Sequence, residues 1–405
     1  MLCFRAAAYD TLKTTLQEAE ARFLKNNLLM LAEQYHVEAE KAMIVQAKLW
    51  ANPQFSAEVN AYNPQREKYF DVGPLGQKAF AIQQLVLLGG KRKKQISLAG
   101  TQAQIAAYEF ENLLRNLKFE LHSSFYAIYY DEQTLQRYSH QIDLLSNIID
   151  AYEFQSKKGN IPLKEVLRLK AVYFQLNNTK SDLIRDILDN QTSLRLLLSV
   201  ESYIKPQGDS TMERLIPIDL QEENLQAQAM NARPDYKEAY AVLEASQVNY
   251  RLQKSMNVPD VVLGAAYDQR GGAFVNQTGL TLAMNLPILN RNQGNIKASS
   301  FEVDRNKLLL DQKKLQIKAE ISASLQKLIR LDEQYRSLDQ AFTQDFETIN
   351  EGVVKNFQKQ NISLLEFVDF FESYNNTLFE LNRLRKTRKQ AYEELNTVVG
   401  TELFN

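Results

Sequence analysis

Apolar residues recur every seven positions along one long stretch of the chain, from about residue 90 to residue 157. This stretch holds no proline, and its one internal glycine is Gly100. A sevenfold apolar repeat predicts a coiled-coil helix, and about 65 residues at 1.5 Å each make a rod roughly 100 Å long. Ser124 and Asp131 interrupt a second apolar row, so the predicted seam has polar defects. The main row comprises Leu114, Leu121, Ile128, Leu135, Ile142 and Ile149.

The last third of the chain repeats this spacing in steps of three, four and seven residues. It therefore predicts a second long helix of the same kind. The apolar positions of this second seam are Leu328, Leu331, Tyr335, Leu338, Phe342 and Ile349. Helices of this length are expected to pack side by side into a bundle or a tube.

Four shorter segments alternate apolar and polar residues with a period of two. The alternation is typical of a strand that crosses a membrane, and also of any strand with one buried face, so alone it does not choose between them. Gly271-Gly272 predicts a turn between the last two segments. The predicted strands are residues 54–63, 78–88, 260–269 and 277–287.

The helices and strands form an internal repeat of roughly 200 residues. Residues 85–90 correspond to 286–291, and residues 160–165 correspond to 361–366. Each half is predicted to run helix, strand, strand, long helix, turn and helix. The predicted boundaries are a first repeat at 1–203, a linker at 204–217 and a second repeat at 218–405.

Composition and charge exclude several functional classes. Glycine (14) and proline (9) are scarce, which favours long uninterrupted helices. The net charge of −1, with acids and bases interspersed, supplies no basic stripe along the sequence for nucleic acid. One cysteine and three widely separated histidines give no disulfide framework and no metal-ligand pattern. Phosphate-loop and nucleophile-elbow motifs are absent, so we expect no enzyme and no cofactor.

The number of predicted strands bears on assembly. No segment approaches the 18 apolar residues that a transmembrane helix needs. Four strands are too few to close a membrane barrel, whose smallest form has about eight. An open channel would need at least three chains, which together contribute twelve strands. Other arrangements stay open, but closure into a ring removes exposed strand edges.

Several short motifs occur in a characteristic order between Ala47 and Ile362, within a resemblance that extends from about Leu16 to Leu403. They are Leu286-Pro287-Ile288, Asn290-Arg291, Gly294-Asn295-Ile296, Arg233-Pro234-Asp235, Ala47-Lys48-Leu49, Asn52-Pro53 and the Asn-Ile pairs at 160–161 and 361–362. With the repeated plan, they resemble the TolC-like outer membrane factors of tripartite efflux pumps, and among these the heavy-metal and drug efflux subgroup. Each motif is weak alone, and the resemblance depends on their order and spacing.

The resemblance implies a fold class that is mainly α with a β-barrel part. A homotrimer would place a twelve-stranded barrel in outer-membrane lipid and a long coiled-coil helical tunnel in the periplasm. The channel would be passive, with an inner-membrane pump supplying the energy for metal or drug export. A periplasmic adaptor protein would dock at the helical turns, near Asn160, Ile161, Asn361 and Ile362.

The family also implies a gate of acidic residues just after the second turn. The matching positions are Glu366 and Asp369, which lie three apart on one helix face. Glu165 is the counterpart of Glu366 in the first repeat, and Arg168 stands at the counterpart of Asp369. In a trimer, Glu366 and Asp369 would form two rings of three carboxylates, with raised pKa values and an attraction for cations. The alternative is that they are ordinary solvated charges.

One rival function is a periplasmic coiled-coil adaptor or scaffold protein. Adaptors typically have one helical hairpin and a compact glycine-rich domain, whereas this chain has two full repeats. The beginning of the chain, Met1-Leu2-Cys3-Phe4-Arg5, lacks the basic start and apolar core of a secretion signal. Because an outer-membrane protein needs such a signal, we expect it to be missing from this sequence, and the two residues before Cys3 form no lipoprotein signal.

Overall fold

The computed structural model describes residues 10–208, 220–270, 273–337 and 340–404, and at 274 and 340–347 it describes the backbone alone. The chain divides into two compact units. The first comprises the described residues of Met1–Ala32, Glu111–Arg233 and Leu315–Asn405, and the second those of Glu33–Phe110 and Pro234–Lys314. Each unit therefore takes segments from both halves of the sequence.

Helices dominate the described part of the chain. The helix α3 spans 67 residues without a break, and α4 and α9 have 36 residues each. The helices are α1 (Leu16–Asn26), α2 (Leu28–Lys48), α3 (Lys91–Lys157), α4 (Leu163–Leu198), α5 (Glu222–Ala232), α6 (Pro234–Ser255), α7 (Gln293–Arg336), α8 (Gln340–Gln358) and α9 (Leu364–Val399).

The strands are fewer and fall into three groups. A four-stranded sheet belongs to the second unit, and two short strand pairs accompany it elsewhere in the chain. The strands are β1 (Thr11–Thr14), β2 (Gln54–Val59), β3 (Tyr62–Asn63), β4 (Lys68–Tyr69), β5 (Gln77–Val86), β6 (Tyr203–Pro206), β7 (Val261–Arg270) and β8 (Phe274–Met284).

The sevenfold repeat of α3 is the buried seam of the first unit. Leu121 and Ile128 are fully buried, Ile142 and Ile149 are buried, and Leu114 and Leu135 are half-buried. Asp131, predicted to be a polar defect of this seam, is also buried, and both of its carboxylate oxygens accept hydrogen bonds from Nζ of Lys386 on α9, at 2.8 and 3.0 Å. An ion pair thus replaces apolar contact at this level of the seam.

The second seam departs from the prediction at the junction of α7 and α8. Leu328 is buried as expected, but Ile349 is 49% exposed, so its predicted place in the seam is wrong. Among the described side chains of α8, the buried ones are Asn350, Val354 and Phe357, which lie on a different face. The seam therefore changes register between α7 and α8. The predicted positions Leu338 and Phe342 lie outside the described side chains.

The sheet has the order β2-β5-β7-β8, with every neighbouring pair antiparallel. One face carries large apolar residues, where Phe55 lies opposite Ile82 and Ala265 lies opposite Leu280. The other face is small or polar, as in the pair Gly264 and Thr281. Alternate residues of a strand point to opposite faces, so the period of two in the sequence becomes two chemically different surfaces.

Strand β2 ends earlier than predicted. It stops at Val59 rather than at residue 63, and β3 pairs instead with β4 in a separate small hairpin. The hairpin is closed by Asp71, whose side chain accepts hydrogen bonds from Asn63 at 3.1 Å and from Arg66 at 3.3 Å. These short-range bonds hold the backbone in a turn where the sequence pattern indicated a continuous strand.

The ends of β5 and β8 also differ from the predicted ranges. Strand β5 stops at Val86, because the chain turns at Gly89 (φ 66°) and the Leu88 N–H donates to the Asp260 carboxylate at 3.0 Å. Strand β8 begins at Phe274 and ends at Met284, three residues before the predicted end. The predicted turn at Gly271-Gly272 lies outside the described residues.

The predicted linker begins with a strand. Residues 203–206 form β6, which pairs in parallel with β1. Gln191 of α4 fixes this pair, since its side-chain amide donates to the Ile204 carbonyl and accepts from the Ile204 N–H at 3.0 Å. Residues 204–206 of the predicted linker are therefore part of a strand, and residues 209–217 lie outside the described part.

His122 joins three segments of the first unit. Its Nδ1 lies 2.9 Å from the Glu393 carboxylate, and its Nε2 lies 3.7 Å from the Glu20 carboxylate. Burial alone would lower the pKa of His122, but its interactions with Glu20 and Glu393 outweigh this and raise the pKa to about 9. The same contact with His122 lowers the pKa of Glu20 to about 2. A charged imidazolium is therefore held between two carboxylates at neutral pH.

This arrangement predicts how stability depends on pH. The contribution of His122 to the free energy of unfolding should be complete below pH 6.5 and lost as the pH rises through about 9, because the folded state binds the proton more tightly. We expect His122→Gln to be less stable than the wild type near neutral pH, and the difference to shrink toward about pH 10. Chemical denaturation at several pH values measures this difference in the free energy of unfolding. A difference that does not change with pH would contradict a charged His122.

Candidate gate at the helical turns

The two helical hairpins of the first unit turn with the same backbone geometry. The Asn160 N–H donates to the Gln155 carbonyl at 3.0 Å, and the Asn361 N–H donates to the Asn356 carbonyl at 2.9 Å. The residue before each asparagine has a positive φ, 80° at Gly159 and 63° at Gln360. Both turns are Schellman motifs, which satisfy the last carbonyl groups of the preceding helix.

The asparagine side chains reinforce both turns. Asn160 Nδ2 donates to the Gln155 side chain at 2.7 Å, and Asn361 Nδ2 donates to the Asn356 side chain at 3.2 Å. Both asparagines are exposed, whereas Ile161 and Ile362 are half-buried. The asparagines thus have a structural role in the turn, and their outer surface remains accessible.

The two turns differ at the position with positive φ, which gives a paired prediction. Gly159→Ala should lower stability by about 1 kcal/mol, because a side chain disfavours this conformation. No atom lies within 4 Å of the position of the added Cβ, so the effect comes from the backbone. Gln360→Gly should raise stability by up to about 1 kcal/mol. Thermal unfolding of the two variants tests this, and shifts of the same sign would contradict it.

One apolar core joins the two hairpins close to their turns. The rings of Phe357 and Phe367 stack at 4.1 Å, and Tyr152 stacks on Phe357 at 5.7 Å. Ile362 packs against the same core. Both turns therefore lie at one end of a four-helix arrangement. The buried members are Tyr138, Ile142, Leu145, Ile148, Ile149, Leu169, Val172, Leu176, Val354, Phe357, Phe367, Val368 and Phe371.

Glu366 caps the start of α9. Its backbone N–H donates to Ser363 Oγ at 3.3 Å, and its carboxylate accepts the Ser363 N–H at 2.8 Å, which together form a capping box. The backbone hydrogen bond from Ser363 lowers the pKa of Glu366. Within one chain, the lowered pKa of Glu366 is opposite to the raised pKa expected from a ring of carboxylates, because each Glu366 accepts a hydrogen bond from its own Ser363.

The other predicted gate residues lie at the same end of the helices. Asp369 is exposed one turn beyond Glu366, and Glu165 is half-buried in the first turn of α4. The charge of Glu165 adds to the burial of Tyr152 in raising the pKa of that phenol. Arg168 is exposed. Within the described residues neither Glu366 nor Asp369 has a Lys or Arg within 4 Å, so both charges face solvent.

The structure shows no further chemistry at this end of the bundle. Among the described residues, no group of three His, Cys, Asp or Glu side chains is placed to hold a metal ion. In the same part of the chain, no helix is both long and apolar enough to span a membrane. The aromatic stack of Tyr152, Phe357 and Phe367 was missed from the sequence, although the four-residue spacing of Phe367 and Phe371 indicates a shared helix face.

The sequence and the fold were compared with those of known proteins. No family model matches the chain. The cobalt-zinc-cadmium resistance protein CzcC of Cupriavidus metallidurans is 22% identical over 295 residues, which cover 72% of this chain and 67% of CzcC. The Campylobacter jejuni CmeC outer membrane channel superposes with a TM-score of 0.78 at 12% identity, over 96% of this chain and 87% of that one.

A second solved structure gives the same result. The Vibrio cholerae outer membrane protein VceC superposes with a TM-score of 0.72 at 15% identity, over 96% of this chain and 97% of that one. The chain has the fold of bacterial outer-membrane channels. The predicted fold class, mainly α with a smaller β part of four long strands per chain, is therefore confirmed, as is the resemblance to the TolC-like outer membrane factors, and the closed trimeric barrel stays a prediction.

Proposed function

We propose that the chain is one subunit of the outer-membrane channel of a tripartite efflux pump. It acts as a passive exit duct in the outer membrane and periplasm, while an inner-membrane transporter drives export through a periplasmic adaptor. The observation that carries this proposal is the four-stranded sheet. Its apolar face is open in the single chain, with Phe55 67% and Leu280 91% exposed, as a lipid-facing strand surface requires.

The sheet also supports a trimer. Its outer strands, β2 and β8, each have one neighbour in the described part of the chain, so two strand edges are left open. Open edges of this length favour pairing with another chain. Three copies would supply twelve strands and close a barrel wide enough for a channel, which one copy cannot do.

Fractionation and mass measurement test this function. We expect the protein to enrich with outer rather than inner membranes, and the detergent-extracted particle to have three times the chain mass. Circular dichroism of the same particle should be dominated by helix. A monomer that keeps its strand signal in detergent would overturn the ring, and enrichment with inner membranes would favour the adaptor alternative.

The acidic residues beyond the turns support a gate. In a trimer, Glu366 and Asp369 would form two rings of carboxylates at the periplasmic end, with Glu165 nearby. Their exposure in a single chain, without a cationic partner in its described part, leaves the negative charge available to ions in the path. Rings of this kind favour cations in a pore.

The same end of the bundle is the proposed docking surface for the adaptor. Asn160 and Asn361 present polar side chains there, and Ile161 and Ile362 are half-buried beside them. The rigid Schellman geometry of both turns gives a partner a preformed surface. The adaptor alternative for the chain itself is disfavoured, because the channel fold covers almost its whole length.

The relative CzcC gives a cargo class to test. The name of CzcC refers to resistance to cobalt, zinc and cadmium, so divalent metal ions are the first cargo to test for this chain. The paired acidic residues at the turns fit a cationic cargo. We propose no enzymatic activity, since the fold is that of channel proteins.

A further inference from the structure

The four-stranded sheet has one end rich in basic residues. The strand register brings four strand ends together: the start of β2, the end of β5, the start of β7 and the end of β8. The pairs that show this are Gln54 with Gln83, Val86 with Val261, and Val261 with Met284. The segments at this end are 48–53, 87–98, 251–260 and 285–298. They carry the helices α2, α3, α6 and α7, so we name this end of the sheet the helix end.

The segments of the helix end contain nine basic residues and one acidic residue, Asp260. The loop at the opposite end, residues 60–76, contains two of each. Four of the basic residues, at 91–94, are consecutive in the sequence, and the other five come from segments separated by long stretches of chain, so only part of the cluster was visible in the sequence. The basic residues are Lys48, Lys91, Arg92, Lys93, Lys94, Arg251, Lys254, Arg291 and Lys297.

One of these cations is structural. Lys91 is buried, and its Nζ lies 2.7 Å from the Asp260 carboxylate and 2.7 Å from the Val258 carbonyl. The single acidic residue of the helix end is therefore already paired. The charges of the remaining cations are not balanced by any carboxylate of these four segments.

Six of the remaining eight cations are exposed, and two, Arg92 and Lys94, are half-buried. The Arg92 guanidinium lies 4.5 Å from the Trp50 ring centre and donates a hydrogen bond to the Lys48 carbonyl. Lys93 and Arg291 are exposed, and Lys94 donates to the Gly89 carbonyl at 2.6 Å. Trp50 is 58% exposed, and tryptophan is a residue type enriched at membrane–water interfaces.

Large apolar side chains are exposed at the helix end as well. Leu286, Ile288 and Leu289 precede Arg291 and are 63%, 71% and 89% exposed. A groove of about 950 Å³ lies at the same end, lined by these residues together with Met256 and Lys91. Soluble polyanions do not require such a surface, whereas a lipid with a negative head and acyl chains matches both components.

We infer that the helix end of the sheet binds anionic phospholipid headgroups of the periplasm-facing membrane leaflet. The inference rests on the proposed function, which places the sheet in the outer membrane with its helices toward the periplasm. Clustered lysine and arginine residues beside a membrane attract acidic lipids, and the positive N-terminal end of α3 at Lys91 adds to the field. Lys93, Lys94 and Arg291 supply positive charge that attracts the headgroups, while the acyl chains lie along Leu286 and Ile288.

Native mass spectrometry of the full-length detergent-solubilised protein tests this. The probes are phosphatidylglycerol and phosphatidylcholine with identical acyl chains. We expect phosphatidylglycerol to bind about tenfold more tightly, and Lys93→Gln/Lys94→Gln/Arg291→Gln to reduce this preference to less than about twofold. Raising the salt concentration should weaken the preference. An unchanged preference in the triple variant would overturn the inference.

Two controls make the result specific. Lys68→Gln/Lys78→Gln/Arg270→Gln removes three charges from the opposite end of the sheet and should keep the preference; an equal loss would show general charge attraction and overturn the site. Lys93→Arg/Lys94→Arg should keep it as well. Millimolar inorganic phosphate should not compete, since competition would indicate an ion site without a lipid.

Failure of the lipid site can be distinguished from failure of the proposed channel function. A protein that enriches in the outer membrane as a trimer, but binds both lipids equally, contradicts only the lipid site. A protein that fails to enrich there contradicts the proposed function itself. Each variant is compared with the wild type by circular dichroism and mass in detergent, so that loss of fold is recognised.

Discussion

Replacing Glu366 by Gln together with Asp369 by Asn should reduce the cation selectivity of the channel on the order of fivefold in planar bilayers. The double variant removes two carboxylates from each copy, and therefore six from a trimer. Block by multivalent cations should weaken in parallel, because such ions bridge neighbouring carboxylates. The conductance of the inserted channel should persist, since the sheet is unchanged.

The choice of glutamine follows from the capping box at α9. Glutamine at 366 can still accept the Ser363 N–H, so the charge is removed while the helix start is kept. Ser363→Ala is the converse control, because it weakens the cap and keeps the charge. Asp189→Asn removes an exposed charge from α4, about 40 Å from the turn along the helix, and should leave selectivity unchanged.

The pattern across these variants decides the role of the acidic pair. If the double variant keeps its selectivity and its block, Glu366 and Asp369 are ordinary surface charges. If Ser363→Ala has the same effect as the double variant, the helix start rather than the charge controls the gate. Only loss in the double variant with retention in both controls agrees with two carboxylate rings.

Asp332→Ala should destabilise the first unit by about 3–5 kcal/mol, the range for leaving a buried charge without its partner. Arg388 is almost fully buried, and its Nε donates to Asp332 at 2.8 Å. The Tyr392 hydroxyl also donates to Asp332, at 2.9 Å. Burial acts to raise the pKa of Asp332, but hydrogen bonds from Arg336 and Arg388 overcome it and lower that pKa. Denaturant unfolding followed by helical circular dichroism measures the loss.

A surface ion pair on the same helices serves as the comparison. The Lys327 Nζ lies 2.6 Å from the Glu394 carboxylate, and both side chains are substantially exposed. Glu394→Ala should therefore change stability by less than about 1 kcal/mol. Similar losses for Asp332→Ala and Glu394→Ala would show that burial of Arg388 does not control stability.

Local periodicity predicted much of the fold, and long-range pairing accounts for what it missed. The repeat in α3 predicted a helix over residues 90–157, close to the observed Lys91–Lys157. The buried Asp131 was interpreted as a defect, because its partner Lys386 is 255 residues away in sequence. The parallel pair of β1 and β6 has only four residues per strand, too few for a recognisable alternation.

The candidate gate could be predicted from the sequence only in part. The sequence Ser363-Leu364-Leu365-Glu366 contains the capping-box pattern, so the local role of Glu366 was available from the sequence. The exposure of Asp369 and the aromatic core around Phe357 depend on how four helices pack, and the spacing within one helix does not determine that. The acidic pair remains a prediction until conductance is measured.

Strand direction alternates across β2, β5, β7 and β8, and the number of strands is even. A second copy whose β2 joins β8 of the first therefore meets it antiparallel, and so does every copy after it. Because of this parity, strand direction sets no limit on the number of copies in a closed ring. Ring size is then set by the tilt and stagger of the strands together with the fit between the helices of neighbouring copies, so substitutions on helix surfaces, as well as in the strands, should change stoichiometry.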